Sequence, residues 1–139
     1  IDGSTSTAAG AACVGEEMTV LITGDMSFSY DVNGLSSTYL SPRFKIIVMC
    51  NGGGGIFRFI KPTSDLPELE TCFEIHRDIS VEKYADLFGL RYFELNDEKS
   101  AAEVLSLFFA EKDRPAILAV HTPNVYNAEV LRGYFRRSR

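Results

Sequence analysis

Two short stretches hold residue types that could do chemistry together. One is Gly24-Asp25-Met26-Ser27; the other is Cys50-Asn51 followed by the four glycines 52–55. Each comes straight after an apolar run, "MTVLIT" (18–23) and "KIIVMCN" (45–51). A carboxylate and an amide oxygen are hard donors of the kind Mg²⁺ takes, with phosphate oxygens and water completing its shell. Ser27 and the amides after it read as the start of a helix, whose unpaired N–H groups attract phosphate. Asp25 also fits an ordinary N-cap there. Four glycines give up much chain entropy when ordered, so a folded loop made of them needs a reason. Without side chains, such a loop can turn sharply, aim a carbonyl at a metal or pass close beneath a ligand. A floppy surface loop is the alternative. The flanks weigh against it, because a strand runs straight in and Ile56-Phe57 follow at once. No Gly-Lys-Ser/Thr follows the glycines, so the stretch is not a P-loop.

These residues meet only if the right elements bring them together. Residues 4–14, "STSTAAGAACV", read as a tightly packed helix ending near Gly15. The run 18–23 is apolar and β-branched, which predicts a strand buried on both faces, and 45–51 predicts a second. A helix is expected from about Ser27 to Leu40, closed by Pro42. Residues 61–78 carry Pro62, Pro67 and mixed charges and read as a long irregular loop. "SVEKYADLFGL" (80–90) reads as a helix capped by Ser80 and ended by Gly89. "RYFEL" reads as a short strand. "EKSAAEVLSLFFAEK" reads as an amphipathic helix with Ala102, Leu105 and Phe109 on one face. "PAILAVHT" is a third buried strand and "NAEVLRGYFRR" a terminal helix. Such alternation predicts an α/β fold: a mostly parallel sheet flanked by helices on both faces. Ligands in such folds bind at the carboxyl ends of the strands, and that rule selects the loops carrying Asp25 and Asn51.

Composition narrows the function classes. The 139 residues are enough for one ordinary domain, and residues 1–139 are read as a single unit. The chain starts with Ile, not Met, and is expected to be the carboxyl-terminal piece of a longer, multidomain protein. A net charge of −5 argues against nucleic acid as a partner. The terminal basic cluster Arg132, Arg136, Arg137 and Arg139 reads as a solvated helix end. No run approaches membrane-spanning length, so no membrane is expected. Three widely spaced cysteines, Cys13, Cys50 and Cys72, suggest neither a disulfide framework nor a zinc site. Reduced thiols point to the cytoplasm. His76 and His121 read as structural or solvent-facing, and the run Glu68, Glu70, Glu74 as a solvated loop.

The spacing of the two stretches resembles a known signature. Gly-Asp, the 24 residues Met26 to Met49, and then Cys-Asn look like the diphosphate-binding motif of thiamine diphosphate-dependent enzymes. Cys50 stands where that family has a first Asn. Asn51 matches the second, which is the ligand. The match narrows further with "IDGSTSTAAG" (1–10), "GDMSFSYDVNGL" (24–35) and "NGGGGIF" (51–57), which together are similar to the carboxyl-terminal domain of the menaquinone-pathway synthases. These motifs cover the first 57 residues; the rest matches by layout alone.

The resemblance implies thiamine diphosphate and Mg²⁺ as cofactors. Asp25 and Asn51 would be side-chain ligands of the metal, and the backbone carbonyl of Gly53 a third. Gly24, Met26 and Ser27 would line the diphosphate pocket, with Gly54 in the same loop. Ile56 and Phe57, with Ile60, would border the thiazolium and substrate, and Ile1 would support the cofactor from beneath. Asp31, Asn33 and Gly34 read as packing or capping. The implied reaction is a carboligation: 2-oxoglutarate is decarboxylated and the succinyl carbanion adds to isochorismate. The implied assembly is a homodimer or homotetramer with active sites shared between subunits. The activating glutamate and the substrate-binding arginines of the family lie outside this chain, so no catalytic residue is assigned and the chain alone is expected to be inactive. Other readings stay open: another thiamine diphosphate-dependent 2-oxoacid decarboxylase, an acetolactate synthase-like enzyme, or a non-catalytic diphosphate-binding module.

Overall fold

A computed structural model describes residues 1–74 and 76–137, Arg137 by its backbone alone. Four strands, β1 (Thr19–Gly24), β2 (Phe44–Cys50), β3 (Arg91–Leu95) and β4 (Ala116–His121), form one sheet in the order β1-β2-β4-β3. Every pairing is parallel. The helices are α1 (Ser4–Val14), α2 (Asp25–Tyr30), α3 (Ile56–Phe59), α4 (Val81–Phe88), α5 (Ala101–Ala110) and α6 (Asn124–Arg137). The α/β class and the parallel sheet expected from the sequence are present.

The two faces of the sheet bury different side chains, because neighbours along a strand point to opposite sides. Ile46, Val48, Ile117 and Ala119 meet Ala9 and Ala12 of α1, Phe28 of α2, and Val81 and Ala85 of α4. Ala116 and Leu118 meet Phe108 of α5, with Ile47, Phe93, Val104 and Leu105 packed around them. Lys45 is also fully buried, near the start of β2. Its Nζ donates to the Glu111 carbonyl at 2.6 Å and lies 5.9 Å from the centre of the Phe108 ring. Burial holds its pKa below the usual lysine value, against an opposing pull from Glu111.

Several expectations need correction. β1 is not buried on both faces. It is an edge strand, and Val20 and Ile22 are 43% and 67% exposed because no described helix covers them. The helix expected over 27–40 starts at Asp25 and stops at Tyr30, and a 3₁₀ turn over Val32–Ser36 follows. Asp31 breaks it: the Asp31 carboxylate leaves the helix to accept the Ser6 amide at 2.8 Å and the Ser6 hydroxyl at 2.5 Å, tying this turn to α1. Those bonds hold the Asp31 pKa below the usual carboxylate value. In α5 the buried side chain is Phe108, flanked by Val104 and Leu105, whereas Ala102 and Phe109 face outward. The segment 61–78 is not wholly irregular: Thr63–Asp65 is a 3₁₀ turn and Leu69–Glu74 a π-helix, while Ile75 lies outside the described residues. Gly15 and Gly89 end α1 and α4, and the Ser80 hydroxyl caps α4 by accepting the Lys83 amide at 3.4 Å.

Candidate functional site

β1 and β2 are neighbours in parallel register, with Gly24 opposite Met49. Their carboxyl ends therefore deliver Asp25 and Asn51 side by side, and both line one cleft of about 200 Å³. Cys50, Gly52, His76, Arg77, Asp78, Ile79 and His121 complete its lining.

Asp25 organises this edge. Its side chain is only 3% exposed. One oxygen, Oδ1, accepts the Met26 amide at 2.7 Å; the other, Oδ2, accepts the amides of Asn51 at 3.1 Å and Gly52 at 2.7 Å. So Asp25 is not the N-cap, a place Gly24 takes; its carboxylate instead anchors the entry to the glycine loop. Each carboxylate oxygen has two lone pairs, so among the described residues Oδ1 keeps an unused acceptor direction.

The glycine loop is packed from both sides. Gly52 has φ +81° and Gly53 φ +155°, conformations that residues with side chains rarely adopt. A methyl group on Gly52 would lie 2.5 Å from the His76 ring, and one on Gly53 2.6 Å from the Glu74 carbonyl. The Gly54 amide donates to that carbonyl at 2.9 Å, and the Arg77 amide to the Gly52 carbonyl at 3.0 Å. This is a folded loop pressed against Phe73, Glu74, His76 and Arg77, which answers why four glycines stand in a row.

The other expected residues have these places. Gly53 is buried, and its carbonyl accepts the Gly55 amide at 2.9 Å. Gly24 precedes α2, and Met26 and Ser27 form its first turn. Phe57 packs on Phe73 at 5.5 Å between ring centres, whereas Ile56 is 61% exposed. Ile1 is exposed at the chain end, and Gly54 follows Gly53 in the loop. None of these is among the cleft-lining residues.

Sequence reasoning underrated two groups, Glu74 and Arg132. His76 and His121 are exposed, as expected; both also line the cleft, and His121 Nε2 lies 3.1 Å from Glu94 Oε1. Glu74 is not solvated: it is buried and pairs with Arg58. Arg132 is no mere helix-end charge, because its guanidinium donates to the Arg58 carbonyl. Arg139 of the same cluster lies outside the described residues. Isolated charges on a chain carry no signal of a distant partner, so only the Asp25–Asn51 pattern was visible. The three cysteines are free, Cys13 and Cys72 being exposed. Cys50 sits at the cleft, and burial, reinforced by the nearby Asp25 charge, pushes its thiol up to about 11.

The donor set fits a hard cation. Among the described residues no group of three or more His, Cys, Asp and Glu side chains is placed to hold a metal ion. What the cleft offers is a buried carboxylate with a spare lone pair, an adjacent amide side chain and glycine backbone. Mg²⁺ takes few protein oxygens and leaves the rest of its shell to phosphate and water. No described helix is long and apolar enough to cross a membrane.

Fold and cleft together define an α/β protein whose candidate site lies at the carboxyl edge of a parallel sheet. No family model matches the chain. Curated relatives do. The chain is 48% identical over 135 residues, 97% of its length, to the 2-succinyl-5-enolpyruvyl-6-hydroxy-3-cyclohexene-1-carboxylate synthase of Porphyromonas gingivalis. It is 43% identical over 136 residues to the synthase of the same name from Flavobacterium johnsoniae, and 39% over 135 to that of Christiangramia forsetii. It is a relative of these synthases along nearly its whole length, so the likeness reaches well past residue 57. The chain spans about a quarter of the length of the curated relatives it matches, 23–24%.

Proposed function

We propose that this chain forms the metal- and diphosphate-holding part of a thiamine diphosphate- and Mg²⁺-dependent synthase. The whole protein would decarboxylate 2-oxoglutarate and join the succinyl unit to isochorismate in menaquinone biosynthesis. One observation carries the reading: Asp25 and Asn51 converge on a single cleft at the carboxyl ends of adjacent parallel strands. The relatives' shared name supports the choice of reaction.

Bound thiamine diphosphate supplies an electron sink for the decarboxylation. The chain's own part is to bind and to orient. Asp25 and Asn51, with a glycine-loop carbonyl such as that of Gly53, would hold Mg²⁺. Gly24, Met26 and Ser27 open α2 beside Asp25, where they would meet a diphosphate. His76, Arg77 and His121 bring donors to the cleft that suit an anion. Phe57 and Ile56 would offer apolar surface beyond the loop. The homodimeric or homotetrameric assembly expected from the resemblance would contribute the activating glutamate, and the substrate arginines would come from other parts of the full-length protein.

The test uses the full-length protein with thiamine diphosphate, Mg²⁺, 2-oxoglutarate and isochorismate. Isochorismate consumption that requires 2-oxoglutarate and disappears in Asp25→Ala is the expected result. Carbon dioxide release from pyruvate instead would make it a different thiamine diphosphate enzyme. No reaction with any oxoacid would refute the catalytic reading.

A further inference from the structure

We infer that Glu74, clamped by Arg58 and Asn124, is a positioning residue that sets the glycine loop and, through it, the Asn51 side chain. The inference rests on the cofactor reading above for its functional meaning, although the contacts stand without it.

Glu74 is 6% exposed, while Glu68 and Glu70 in the same run are exposed. A buried carboxylate is costly unless it is paired and hydrogen-bonded. Here both oxygens are used. Arg58 Nε donates to Oε1 at 2.7 Å and Nη2 to Oε2 at 2.6 Å, a two-pronged pair of the strong kind. Asn124 Nδ2 adds a third bond to Oε1 at 2.9 Å. One carboxylate thus joins α3, the π-helix and the first residue of α6.

The backbone of the same residue faces the glycines. The Glu74 carbonyl accepts the Gly54 amide at 2.9 Å and lies where a Gly53 side chain would begin. Asn124 reaches the loop as well. A methyl group on Gly55 would lie 2.5 Å from Asn124 Oδ1 and 2.5 Å from Asn51 Nδ2. Asn124 therefore touches Glu74 with its amide nitrogen, while its oxygen and the Asn51 amide both crowd the Gly55 position. Glu74 itself is not among the cleft-lining residues, so any influence on the cleft passes through the loop.

The experiment compares full-length wild type with Glu74→Gln, Asn124→Ser and Asp25→Asn. Mg²⁺ is titrated calorimetrically at saturating thiamine diphosphate. Exchange of the residue 52–55 amides and thermal melting are measured without cofactor. Glu74→Gln keeps the shape and loses the charge. It should need about tenfold more Mg²⁺ for half-saturation, the usual scale for losing a partner that orients a ligand. Its Gly52 and Gly54 amides should exchange faster, and Asn124→Ser should show both effects more weakly. A lower melting temperature with unchanged Mg²⁺ half-saturation and unchanged loop exchange would overturn the inference. Wild type that takes up no Mg²⁺ with the cofactor, or Asp25→Asn that binds like wild type, would sink the cofactor reading instead. In that case the loop exchange of Glu74→Gln still decides whether Glu74 holds the loop.

Discussion

The turns after β1 and β2 sit side by side yet are built in opposite ways. After β1 the chain passes directly into α2, and Asp25, the first helical residue, bonds the amide of the very next residue. After β2 the chain runs through four glycines before α3 begins, and the packing partners come from Phe73, Glu74, His76, Arg77 and Asn124, far along the sequence. The first turn is specified locally and the second by tertiary contacts. Beyond the strand pairing itself, they are linked directly by the pair of bonds from the Asn51 and Gly52 amides to Asp25. A rigid carboxylate thus serves as the fixed point against which a more conditional loop is set.

Cutting that link should have the largest effect. Asp25→Ala leaves the part-buried Asn51 and Gly52 amides without their charged acceptor, at a cost of about 1–3 kcal/mol in all. Hydrogen exchange in the full-length protein should show protection of these two amides falling by about two orders of magnitude, with α1 unaffected. Retained protection would mean that the loop is held by its contacts with Glu74, His76 and Arg77 alone. Gly53→Ala attacks that other side. Its methyl group would meet backbone rather than a flexible side chain, and its φ is unfavourable, for a cost of about 1–3 kcal/mol. Exchange at the Gly54 amide should rise most, and α2 should stay protected.

Cys50, at the seam between the two turns, gives a smaller and pH-dependent effect. Its thiol is pushed up to about 11 from an ordinary 9.0, so between these values the unfolded chain has lost a proton that the folded one keeps. Stability should therefore fall as pH rises through that window, and Cys50→Ala should flatten the fall. At neutral pH, thiol alkylation should reach the exposed Cys13 and Cys72 well before Cys50. The smallest effect is expected far from both turns. Gly10 lies within α1 with no atom near its missing side chain, so Gly10→Ala should stabilise α1 by about 0.5–1 kcal/mol. A loss instead would show that something in the full-length protein packs on that face.

Much of this was legible in the chain. The buried β2 and β4 runs, the caps of α4 and the parallel order follow from local pattern, and so does the pairing of Asp25 with Asn51 at one edge. The misreadings share a cause. Val20 and Ile22 look like core residues, yet β1 is the edge strand and no described element covers that side. Helical propensity continues past Tyr30, but Asp31 bonds Ser6 and the helix stops. Glu74 looked solvated because Arg58 is 16 residues away and Asn124 is 50.

By itself, then, the sequence determined the α/β class, most element positions, the hard-donor character of the site and the likeness to the synthases, since all of these are written in short-range spacing and residue type. The tertiary structure alone decided that β1 is an edge, that the glycines are pinned between Asp25 and Glu74, and that the two histidines reach the cleft. Those outcomes depend on which distant segments meet, and that is settled only when the sheet order and helix packing bury the apolar surface together.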